Sequence, residues 1–154
     1  MNLIRVGSIL IFFSITACSS LVLESADFAW PLESVLRVDN EGFVKEERHT
    51  LSFDARGLFF EEFGDSTAYL DRDIRIIRDT KGYYFITAQD FKNVYVFVGI
   101  DGKMNLNNKI KISEKSMSSP AFNQRSPFIE LLNDGGKILL SNMGIENEEG
   151  GNEE

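Results

Sequence analysis

From residue 35 onward the apolar residues fall into short runs separated by polar turns, with no long helical period. Val35–Val38 reads as a strand and "DNEG" from Asp39 as a turn. Phe43–Phe53 then reads as one longer strand carrying His49. "DIRIIRD", "YYFIT" and "VYVFVG" give three more strands, separated by "TKG" and "AQDFKN". Asn, Asp and Gly in these gaps tolerate the backbone angles that turns need. In "VYVFVG" the residues on both faces are apolar, which predicts a central strand covered on both sides. Asp101-Gly102 is a two-residue hairpin signal. Beyond it, Met104, Leu106, Ile110 and Ile112 alternate with Asn105, Asn107, Lys109 and Lys111, and a bulge fits at Asn108. "SEKSMSSPAFNQRSP" reads as a loop, because Pro120 and Pro127 oppose helix. "FIELL", "NDGG" and "KILLS" make a last hairpin.

These spacings predict an all-β domain: a small antiparallel meander, sandwich or barrel-like fold. One short helix over residues 57–63 is compatible with it. Leu58, Phe59 and Phe63 share a helical face that Gly64 would end, although the same residues also suit a bulged strand. The stretch Asp73–Ile112 is similar to one blade of a β-propeller, four antiparallel strands in succession. No second copy follows, and one blade cannot close a ring, so a simple meander is expected.

The N-terminus obeys a different pattern. Arg5 precedes an apolar stretch from Val6 to Ile15, and small residues lead to Cys18, the single cysteine of the chain. This is the grammar of a secretory signal peptide, too short for a membrane span of roughly 20 residues. Ile15-Thr16-Ala17-Cys18 resembles the lipobox of bacterial lipoproteins. The resemblance implies cleavage before Cys18, diacylglycerol on its thiol, and acylation of the new amine, palmitate being a typical chain. Two or three chains hold a protein to a membrane where one does so only reversibly. One cysteine permits no disulfide within the chain, and a lipid accounts for it. In many such lipoproteins an aspartate after the cysteine retains the protein at the inner membrane. Ser19 therefore implies the outer membrane if the host has two.

The expected organisation is a cleaved signal over 1–17, a lipidated tether over 18–30 ending near Trp30, a β-rich domain over 31–143 and a disordered acidic tail over 144–154. The chain carries −8, and loss of Arg5 with the signal leaves −9. Nucleic acid calls for clustered cations, so this balance excludes it as a partner. It equally disfavours anionic lipid head groups and leaves the acyl chains as the membrane contact.

Few reactive groups remain. His49 is the single histidine, and G-x-S-x-G is absent, so no nucleophile elbow is signalled. A zinc site with several His or Cys ligands cannot be written, and no cofactor is called for. The carboxylates Glu61, Glu62, Asp71 and Asp73 could serve as an acid–base pair or as calcium ligands. Alternate pointing along a strand separates Glu61 from Glu62, and Arg72, Arg75 and Arg78 make Asp71 and Asp73 read as a charge-balanced edge. Tyr83, Tyr84, Tyr95 and Phe97 fit a stacking platform for sugar or peptide, but suit a β-core better. The expectation is a non-catalytic, lipid-anchored envelope protein binding another envelope protein, with Met104–Ile112 as the docking edge. A carboxylate-dependent hydrolase acting on glycans and a small-ligand-binding β-barrel are the alternatives.

Labelled fatty acid should enter the wild-type protein in cells, and Cys18→Ser should abolish both labelling and signal cleavage. Label retained by Cys18→Ser would refute the lipobox reading.

Overall fold

The structure, a computed structural model, describes residues 32–48, 50–100 and 103–146. It is all-β with a single short helix among the described residues. β1 (Ser34–Arg37), β2 (Phe43–Glu46) and β3 (Leu51–Asp54) precede α1 (Arg56–Phe63). The meander β4 (Asp73–Arg78), β5 (Tyr83–Thr87), β6 (Asn93–Ile100) and β7 (Lys103–Lys111) follows. β8 (Ala121–Arg125), β9 (Phe128–Asn133), β10 (Gly136–Ser141) and β11 (Gly144–Glu146) complete the chain. All pairings are antiparallel: β1-β4-β5-β6-β7 form one sheet, β11-β10-β9-β8 a second, and β2-β3 a separate hairpin.

The five-stranded sheet is the middle layer. On one face Ile77, Phe85, Val94, Val96 and Ile110 are buried beneath the second sheet, whose Phe122, Ile129, Leu131 and Leu140 are buried in turn. On the other face Ile74, Ile76, Ile86 and Tyr95 lie beneath Val44 of the hairpin and Phe59 of α1. Phe91 joins this second cluster, 5.1 Å from the Phe59 ring and 6.1 Å from Tyr95, both edge-on. Burial of such side chains, at about 1.5–3 kcal/mol each, is the main stabilising term.

The first two described residues touch all three layers. The Leu32 carbonyl accepts from Arg48 Nη1 at 3.0 Å, at the end of the hairpin. Glu33 Oε2 accepts from Arg75 Nη1 in the middle sheet at 2.9 Å, and its Oε1 accepts the Phe122 N–H of the second sheet at 2.8 Å.

Several expectations change. Phe43–Phe53 is two strands, Phe43–Glu46 and Leu51–Asp54; between them Thr50 takes φ 52° and its N–H reaches the Glu47 carbonyl at 3.2 Å. "EERHT" has none of the usual turn residues, so the alternation reads straight through it; His49 itself lies outside the described residues. The expected loop before Pro127 contains β8, an edge strand that needs only Phe122 buried and so shows almost no apolar signal. The β-domain extends beyond 143, because Gly144–Glu146 pairs with β10 and Ser141 Oγ donates to Glu146 Oε1 at 2.5 Å. β6 is covered on both faces from Val94 to Val96, but it stands next to the edge; β5 is the central strand.

Two turns repeat one device. Asp39 Oδ1 accepts the N–H of Glu41 and Phe43 at 2.9 and 2.8 Å, and Asp79 Oδ1 accepts those of Lys81 and Tyr83 at the same distances. Each closes at a glycine with positive φ, Gly42 at 88° and Gly82 at 94°. Such angles cost other residues about 1–3 kcal/mol. At Gly42 there is a second constraint: an added Cβ would stand 2.2 Å from Arg56 Cγ. Arg56 is itself held by Asp54, 2.6 Å from Nη2, which keeps the Asp54 carboxyl below its ordinary range. At Gly82 the nearest side-chain atom, Arg78 Nη2, is 3.4 Å away. Gly42→Ala should therefore lower the urea midpoint more than Gly82→Ala. Equal losses would show that the Arg56 contact contributes nothing.

Candidate functional site

An open cavity of about 400 Å³ lies at the start of β4, between Val35, Leu70, Asp71–Asp73, Arg75 and the Gln89–Asp90 turn. Asp71 and Asp90 adopt positive φ, 58° and 68°, as short polar side chains tolerate. Arg37 stands between the two expected carboxylates, with Nη2 2.7 Å from Asp71 Oδ1 and Nη1 3.4 Å from Asp73 Oδ1. Across the cavity Arg72 Nη1 donates to Asp90 Oδ2 at 3.0 Å, and its guanidinium lies 4.7 Å from the centre of the Phe63 ring. Asp71 and Asp73 thus come together as expected, around an arginine. Mutually compensated and solvent-exposed, these pairs contribute little to stability.

Glu61 and Glu62 are separated, as expected, though by the pitch of a helix and not by strand alternation. Glu61 Oε1 pairs with Lys109 Nζ on β7 at 2.7 Å. Glu62 clamps α1 to β6 instead: it accepts the Lys92 N–H at 2.9 Å, the Asn93 amide at 2.7 Å and the Tyr95 hydroxyl at 2.9 Å. Burial, and next the hydrogen bond to Glu62, hold the Tyr95 phenol protonated well above its ordinary range. The helix ends at Gly64, whose left-handed backbone (φ 69°) lets its N–H reach the Phe60 carbonyl at 2.8 Å.

The four-ring platform does not form. Tyr83 lies on the face opposite Tyr84, Tyr95 and Phe97, and Tyr95 is buried. What remains on the α1 face is a row across four strands, Arg78–Tyr84–Phe97–Leu106, fixed by register. Arg78 lies 5.5 Å from the Tyr84 ring centre, and Leu106 is 56% exposed. Sequence alternation alone placed Leu106 with Ile110. The bulge opposite Val96/Phe97 leaves Asn107 unpaired and swings Leu106 to the other face, one residue before the expected site. The two successive asparagines were the visible signal.

Cys18, His49 and Trp30 lie outside the described residues. Among the described residues no group of three or more His, Cys, Asp or Glu side chains is placed to hold a metal ion, and no helix is long and apolar enough to cross a membrane. No protein-family model, curated protein or solved structure matches the chain.

Glu62→Ala should destabilise the domain by about 1.5–3 kcal/mol in urea titration, the range for removing a charged hydrogen-bond partner. Glu61→Ala, which removes one exposed ion pair, should cost less than about 1 kcal/mol. A reversed order would refute the clamp.

Proposed function

We propose that this chain is a lipid-anchored envelope protein whose β-domain binds another envelope component and carries out no catalysis. The observation that carries this reading is Ile15-Thr16-Ala17-Cys18, directly behind an apolar stretch, with the chain's single cysteine at its end. Lipid on Cys18 provides the membrane attachment, and the domain provides recognition.

The domain's chemistry supports that division. Its prominent carboxylates are committed to internal partners: Asp71 and Asp73 to Arg37, Asp90 to Arg72, and Glu62 to the α1 clamp. The exposed features are of the kind that recognise a surface, namely a partly apolar row ending at Leu106 and the edge of the middle sheet beside it. Ser19 directs the protein to the outer membrane in a host with two.

In such a host the wild-type protein should band with outer-membrane markers on a sucrose gradient, and Ser19→Asp should shift it to the inner-membrane fraction. Recovery in the soluble fraction would overturn the anchored reading. Reproducible turnover of a glycan or ester by the purified mature protein would overturn the non-catalytic one.

A further inference from the structure

The molecule treats its sheet edges unequally. On β8 the outward N–H groups are occupied: Phe122 donates to Glu33 Oε1 at 2.8 Å and Gln124 to Asn123 Oδ1 at 3.0 Å. On β7, the last strand of the middle sheet, the phase of the ladder follows from one bond. Ile112 N–H donates to the Lys92 carbonyl at 3.0 Å, beside the register pair Asn93↔Lys111. Backbone groups alternate in direction along an antiparallel strand, so Ile110 and Asn108 also face β6 while Lys111 and Lys109 face outward. Lys109 agrees, because its N–H is taken by Asn108 Oδ1 at 2.8 Å. Asn107 and Asn108 also donate their side-chain amides to the carbonyls of the β10–β11 turn. The middle of β7 is therefore closed.

Beyond the bulge the alternation is reset. The register Phe97↔Leu106, Val98↔Asn105, Gly99↔Met104, Ile100↔Lys103 turns the N–H and C=O groups of Leu106 and Met104 outward. No side chain caps these groups among the described residues. The Leu106 side chain extends the apolar row of Tyr84 and Phe97, while Lys103 projects from the opposite face and makes no ion pair among the described residues.

Resting on the binding reading above, we infer that Lys103–Leu106 is a strand-addition site for an extended segment of a partner protein that alternates apolar and acidic residues. Strand addition takes affinity from main-chain bonds and specificity from alternate side chains. Apolar residues of the added strand would continue the Phe97–Leu106 row, and acidic residues on its other face would meet Lys103. A second copy fits poorly. Antiparallel pairing of two β7 strands about Leu106 would run the open segment of each copy, Lys103–Leu106, against Leu106–Lys109 of the other, whose Lys109 N–H is already taken by Asn108 Oδ1.

The probe is a fluorescein-labelled nine-residue peptide alternating valine and glutamate, titrated by anisotropy into the detergent-solubilised mature protein. Binding should saturate, and a valine–lysine peptide should bind at least tenfold more weakly. Exchange of the Met104 and Leu106 amides should slow at least tenfold with the valine–glutamate peptide bound. Leu106→Pro removes an outward N–H, which an edge strand tolerates. It should leave the urea midpoint nearly unchanged and weaken the peptide at least tenfold. Leu106→Glu, which keeps the N–H but puts a charge where the valines of the peptide would pack, should weaken it similarly.

Several results would overturn the inference: no saturable binding, equal binding of the two peptides, unfolding by Leu106→Pro, or self-association through β7 in sedimentation. If these fail while the wild-type protein still bands with the outer membrane, the edge assignment falls and the anchored reading stands.

Discussion

Phe85 and Ile86 are neighbours on β5, point to opposite faces of the sheet, and are both fully buried. This pair sets the constraint the fold has to meet. A strand that is apolar on both sides demands a cover on both sides. The two remaining parts of the chain supply them, the β2–β3 hairpin with α1 above one face and the β8–β11 sheet below the other. Neither cover could be left out without exposing a full face of apolar side chains.

Two carboxylates join the covers to the layer between them, and they do so in different ways. Glu62 reaches from α1 to a backbone amide, a side-chain amide and a phenol within four residues of β6 and the turn before it. This fixes both the position and the rotation of a helix only eight residues long. Glu33 divides its two oxygens between the middle and second sheets. A helix this short would not be stable alone, so its existence depends on the sheet beneath it.

The meander β4–β7 and the hairpin β9–β10 were legible because apolar alternation and turn chemistry agreed there. At Asp134-Gly135 both residues take positive φ, 50° and 79°, as an Asp-Gly hairpin turn requires. The break at Thr50 was hidden because the strain is carried by a residue that rarely adopts such an angle. β8 was hidden because an edge strand with one buried side chain leaves no period to detect. The charge-balanced character of Asp71 and Asp73 could be read from the surrounding arginines, but not that Arg37, more than thirty residues earlier, is the group between them. The exposed row ending at Leu106 depends on a bulge, and a one-residue slip reverses which face a side chain takes.

The attachments at Leu32 and Glu33 acquire a mechanical meaning if the anchor is N-terminal. Any pull transmitted from a membrane enters the described domain at these residues, ahead of the first strand. There the load divides among Arg48 at the hairpin, Arg75 in the middle sheet and the Phe122 amide in the second sheet. β1 is thereby spared from bearing all the tension through its own short ladder to β4. Force is shared by three layers in parallel before any one of them can be peeled away.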